Sequence, residues 1–138
     1  MLTLATASLL LASAAFADEE EAETCLRTKI WDGYTSGWQV RSQTNTTLGS
    51  AEHRVYLITL YAGNGYKFLA CGDKNASNLD LVLYDSQGNV LITDSSVDRE
   101  PQLSYTPTLT DTYYLAVHAS KVNDSTQKAG VSTAVTFK

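Results

Sequence analysis

Between His53 and Phe137 the chain alternates apolar and polar residues in short runs, and each run stops at a turn signal. A period of two sends successive side chains to opposite faces of a strand. Runs this short, punctuated by Gly, Asn, Asp and Pro, cannot join into long helices. His53–Ala62 (HRVYLITLYA) is dense in β-branched and aromatic residues, with Tyr56, Ile58, Leu60 and Ala62 on one face. Gly63-Asn64-Gly65 turns the chain into a second run, where Tyr66, Phe68 and Ala70 share a side. Leu79–Tyr84 points Leu79, Leu81 and Leu83 inward and Asp80 outward, and Asp85-Ser86-Gln87-Gly88-Asn89 closes it with a turn. Further runs follow at Val90–Thr93, Pro101–Thr106, Thr112–His118 and Val131–Phe137. Upstream, residues 25–50 are rich in Thr, Ser, Gly and Asn and offer one short strand near Trp38–Arg41. No window after residue 17 shows a convincing helical period. The expectation is an all-β antiparallel sandwich of about seven or eight strands.

The first residues have a different character. Leu2 to Ala17 carries no charge, falls short of the roughly 20 residues that cross a bilayer, and ends in the A-x-A pattern Ala15-Phe16-Ala17. This reads as a signal peptide over 1–17, although no Lys or Arg follows Met1; a buried N-terminal helix is the alternative. Residues 18–50 then form an acidic leader and N-terminal arm, mobile over 18–24, and 51–138 form the sandwich. Both cysteines follow the signal, which in an exported chain favours a Cys25–Cys71 disulfide over two free thiols or a metal pair. The net charge of −5, with no basic stripe, excludes nucleic acid and, after signal cleavage, an anionic membrane surface as partners. The chain is expected to be secreted or periplasmic.

One segment resembles a known family. GDKNASNLDLVLYDSQGNVLITDSSVDREPQLSYTPTLTDTYYLAV, with YLITLYAGNGYKF upstream, is similar to the bacterial pre-peptidase C-terminal domain. In that family a strand of the LDLYLYD type leads into a turn, and an xFTP segment precedes TGTYYLRV. The resemblance covers about residues 52–120 and implies a jelly-roll-like β-sandwich that is exported, is usually not the catalytic part, and in some relatives binds calcium or a matrix polymer. Asp111 stands where the family usually has Gly, and Cys25 to Ser50 has no counterpart.

The candidate chemistry is sparse. Asp73, Asn75 and Ser77 are spaced like the first ligands of an EF-hand, but Asn78 and Tyr84 occupy the positions that need Gly and Glu. A calcium site built from separate loops, using Asp73, Asn75 and Asp80, stays open beside plain Asx-turn chemistry. Trp31, Tyr34 and Trp38 in WDGYTSGW are either a ligand-binding aromatic set or a lid over one open end of the sandwich. A triad can be written from His118, Asp111 and Ser120, but no nucleophile elbow accompanies it. The sequence therefore points to a non-catalytic binding module for a polymer or protein surface, with calcium as an optional cofactor. A structural accessory domain of an exported assembly is the alternative, and a small hydrolase the weakest reading.

Overall fold

The computed structural model describes residues 17–138; the expected signal peptide lies, but for Ala17, outside the described residues. One helix and eight strands follow in order: α1 (Glu19–Tyr34), β1 (Gln39–Leu48), β2 (His53–Leu60), β3 (Tyr66–Gly72), β4 (Ala76–Tyr84), β5 (Val90–Asp94), β6 (Gln102–Tyr105), β7 (Asp111–Val122) and β8 (Ala129–Phe137). The strands form two four-stranded antiparallel sheets, β1-β8-β3-β6 and β2-β7-β4-β5.

The alternation seen in the sequence is the packing pattern of the core. Leu79, Leu81 and Leu83 of β4 are fully buried, and so are Leu115 and Val117 of β7, the strand beside it. Phe68 and Ala70 of β3 and Val131 and Val135 of β8 meet them from the other sheet. Each buried Leu or Val contributes about 1.5–3 kcal/mol of transfer free energy. At the β4–β5 hairpin, Asp85 Oδ1 accepts hydrogen bonds from the Gln87 and Asn89 N–H groups, both at 2.9 Å, and Gly88 takes the positive φ of 81° that the turn requires.

Residues 18–24, expected as an acidic leader, form the cap and first turns of a helix that runs to Tyr34. The Asp18 side chain accepts from the Glu21 N–H at 2.9 Å, and Glu19, Glu20 and Glu21 fill the first turn, where the helix dipole favours negative charge. Ala22 and Leu26 are fully buried and Cys25 and Ile30 partly so, a narrow stripe at helical spacing that packs on Leu69, Cys71 and Ala134. The helix thus lies across the outer face of the first sheet. It explains why β8 is buried on both sides: Val131 and Val135 face the core, while Ala134 faces α1. Gly130 permits the closest approach, since a Cβ there would come within 2.5 Å of the Asp18 backbone. The Cys25–Cys71 disulfide ties α1 to β3, with a Cα–Cα distance of 5.9 Å.

At the β5/β6 side the 95–101 segment crosses between the sheets, anchored by Leu79 N–H to Asp98 C=O at 2.8 Å and Gly72 N–H to Arg99 C=O at 2.9 Å. At the β1/β2 side residues 49–52 make the crossing, with Ala51 N–H donating to the Ala119 C=O at 2.8 Å, and among the described residues β1 and β2 are each paired on one flank alone.

Candidate functional site

The Asp73 carboxylate is buried and works within the fold. Oδ2 accepts from the Asp18 and Gly130 N–H groups, each at 2.8 Å, and Oδ1 from Asn75 at 2.9 Å and Ala76 at 3.2 Å. Four backbone donors use the acceptor capacity of an ionised carboxylate. They fasten the start of α1, the β3–β4 turn and the start of β8 to one point. Asn75 is also committed: its Nδ2 donates to the carbonyls of Asp124, Gln127 and Lys128 at 3.3–3.4 Å, and its Oδ1 accepts from Asp124 N–H at 2.8 Å. Asp80 lies apart from these turns, on the outer face of β4 in register with His118 of β7, whose Nδ1 is 3.9 Å from its carboxylate. Burial pushes the Asp80 carboxyl above its ordinary range, and the His118 charge opposes that shift. The three residues therefore do not fit a shared calcium cage: two have their oxygens on backbone N–H groups, and the third faces a histidine. Among the described residues, the converging donors of three His, Cys, Asp or Glu side chains are those of Cys25, Cys71 and Glu100, and the two sulfurs are bonded to each other.

The writable triad is not assembled. Asp111 opens β7 and accepts from Ser86 Oγ at 2.9 Å, while His118 lies seven residues further along the same strand, roughly 23 Å at strand rise. Ser120 Oγ donates to the Asn78 carbonyl at 3.3 Å.

Within the aromatic set, Trp31 and Tyr34 contact each other, while Trp38 lies against Gly33 and Gly65. Trp31 and Tyr34, one helical turn apart on α1, stack with ring centroids 5.7 Å apart and stand 65% and 60% exposed. Trp38, just past the helix, is half-buried at the edge of a groove between the last turns of α1 and the outer face of the first sheet. The groove has a volume of about 240 Å³. Ile30 and Leu69 form its apolar part, Asp32, Ser36, Gln102 and Thr136 its polar part, and Lys29 and Lys67 its charge. The Lys67 ammonium sits 4.5 Å from the centre of the Trp38 ring, a cation–π geometry, and Lys29 reaches Glu100 at 3.6 Å. The arrangement offers stacking surfaces, two cations and several hydrogen-bonding groups on rigid elements. These can bind and orient a ligand, and they include no nucleophile–base pair. The lysines were absent from the sequence-based set because their placement beside Trp38 follows from the β3–β8 register and the helix position, not from spacing along the chain.

No family model matches the chain, and no curated protein matches it. Solved structures do. The pre-peptidase C-terminal domain of collagenase from Bacillus anthracis superimposes with a TM-score of 0.54 at 12% identity, over 70% of this chain and 89% of that one. PliG of Aeromonas hydrophila, a periplasmic lysozyme inhibitor of g-type lysozyme, matches with a TM-score of 0.49 at 12% identity, over 70% and 85%. The first likeness establishes that the chain has the fold of a pre-peptidase C-terminal domain, an all-β sandwich with one added helix.

Proposed function

We propose that this protein is a non-catalytic binding module, secreted or periplasmic, that holds a polymer or protein surface against the groove between α1 and the first sheet. The observation that carries the reading is the pair of exposed, stacked rings of Trp31 and Tyr34 on the last turns of the helix whose other residues line the groove with Trp38 and Lys67. Exposed rings on a disulfide-tied helix lose little conformational freedom when they bind, which favours stacking on a sugar face or anchoring a protein loop. The disulfide supports an oxidising compartment. Membership of the pre-peptidase C-terminal family is part of the proposal and rests on the shared fold together with the strand and turn motifs around Leu79–Asn89. The test is a pull-down of the mature protein on insoluble polysaccharides and on immobilised extracellular proteins, followed by tryptophan fluorescence titration of each hit. Trp31→Ala with Tyr34→Ala should weaken retention at least about tenfold, as loss of central aromatic anchors does. Retention unchanged in that variant would overturn the reading.

A structural accessory role draws on a different surface. Among the described residues no helix covers the outer face of the second sheet, which presents Val55, Leu57, Tyr84, Val90 and Tyr114. Retention lost on Leu57→Glu and unaffected at Trp31 would favour that role.

A further inference from the structure

The open β1/β2 side of the sandwich is a cleft rather than a closed seam, and we propose that it takes an extended acidic segment of a partner protein. This site is separate from the aromatic groove and does not depend on it. One cavity there, of about 150 Å³, lies between Ser42 and Thr44 of β1 and Tyr56 and Ile58 of β2, with Leu115 and Val135 among the core residues at its base. A second, of about 330 Å³, continues the gap at its end, where Arg41, Tyr61 and Phe137 meet.

Three features define the occupant. The first is backbone. β2 pairs with β7 without interruption from His53 to Leu60 and, among the described residues, has no strand on its other flank, so a regular row of N–H and C=O groups faces outward. The β1 edge is interrupted by a bulge at Arg41, which leaves β2 as the regular template for an added strand.

The second feature is the Thr133 hydroxyl. Thr133 is 3% exposed, lines the cleft, and its Oγ1 has no hydrogen-bond partner within the described residues. A buried hydroxyl without a partner costs free energy, which a polar group entering the cleft would recover.

The third feature is charge. In a chain of net charge −5, β1 and β2 contain no Asp or Glu, and they contain Arg41, His53 and Arg54. Arg41 lies over the Tyr61 ring, 5.4 Å from its centre, at one end of the cleft. Register with the core residue Val117 puts Arg54 on the cleft side of β2 at the other end. Neither arginine has a carboxylate within ion-pair distance among the described residues. The nearby Glu52 is engaged by the Gly49 N–H at 3.1 Å and by Lys128 at 3.5 Å. The spacing from Arg54 to Tyr61 is roughly 23 Å of strand. The complementary segment therefore has acidic residues about six positions apart, with hydroxyl side chains between them at every second position, on the face that meets Thr133.

The probe is a fluorescein-labelled heptapeptide, Glu-Val-Thr-Val-Thr-Val-Glu, whose acids and hydroxyls share one face, followed by fluorescence anisotropy against the mature protein. Its control has both Glu replaced by Lys. The acidic peptide is expected to bind at least about tenfold more tightly than the basic one, with affinity falling as salt rises. Arg41→Glu should cost about tenfold and Thr133→Val about threefold, whereas Trp38→Ala should leave binding unchanged. Slowed amide exchange on β2 when the peptide is bound would confirm the strand pairing. Circular dichroism of each variant separates lost binding from lost fold. Equal affinity for the two peptides, or indifference to Arg41→Glu, would overturn the proposal. So would dependence on Trp38, absence of binding at roughly millimolar protein, or a sedimentation result showing that β2 pairs with a second copy of this chain.

Discussion

Replacing Asp73 with Ala removes the one side chain that four backbone donors share. Asn75 and Asp18 lie in part-buried surroundings and can turn to water, and Ala76 N–H keeps a second acceptor in the Asp73 carbonyl at 3.1 Å. Gly130 N–H is buried and keeps nothing, because its bond to Oδ2 at 2.8 Å is its recorded contact. Orphaning that donor costs about 1–3 kcal/mol, and each charge-assisted bond lost from a partly buried donor costs about 1.5 kcal/mol or more. Together these come to about 4–6 kcal/mol, a large share of the 5–15 kcal/mol typical of a domain. At about 4 °C per kcal/mol for a chain of this size, Tm should fall by about 16–24 °C. Urea denaturation followed by tryptophan fluorescence gives the free-energy difference, and hydrogen exchange should show the start of α1 opening first. A loss below about 1 kcal/mol would refute the reasoning, because it would mean that the bonds do not hold these elements together. Calcium offers an independent check. If millimolar calcium raised the Tm of the unaltered protein and Asp73→Ala abolished that rise, the carboxylate would be a metal ligand and not a structural clamp.

Other substitutions probe different parts of the fold. Cys25→Ser with Cys71→Ser should destabilise by about 4 kcal/mol in the chain-entropy account, given the separation of 46 residues, and reductant should lower the urea midpoint of the unaltered protein by a similar amount. Gly130→Ala drives a Cβ to within 2.5 Å of the Asp18 carbonyl, so α1 must shift; a cost of about 1–3 kcal/mol is expected in the same denaturation assay. Asp80→Asn tests burial of charge. With the folded carboxyl pKa raised above its unfolded value, the contribution of Asp80 to stability is present in acid and is lost as pH rises through the folded pKa. The amide variant should therefore have the higher urea midpoint at pH 7, and its advantage should vanish below the ordinary carboxyl range. A lower midpoint at pH 7 would show that the His118 contact outweighs desolvation.

Much of the core was legible because the rule that reveals strands is the rule that buries them. Leu79, Leu81 and Leu83 had to share a face whatever the register, and the Asp85–Asn89 turn had to follow them. The helix was hidden by its composition. Asp18-x-x-Glu21 followed by Ala22, Cys25, Leu26 and Ile30 carries a capping signal and a helical period, but the stripe is narrow and the acids around it read as a solvated tail. β1 was seen only at its start because an edge strand exposed on both faces along most of its length needs no apolar alternation, and QVRSQTNTTL has none. Among the candidate site residues, Asp73, Asn75 and Asp80 are close in the chain, but the contacts they make are long-range: Asp73 and Asn75 engage backbone groups of distant segments, and Asp80 faces His118.

By itself the sequence determined what local chemistry can determine: strands from a two-residue period, hairpins from Asx and Gly, and the pairing of the only two cysteines in the chain. Tertiary structure decided which face of the first sheet α1 would cover, and so whether Ala134 met helix or water. It also set Lys67 over Trp38 and left the β1/β2 side open. Those outcomes depend on contacts between residues far apart in the chain, and the free energy of such contacts appears only once both partners are in place.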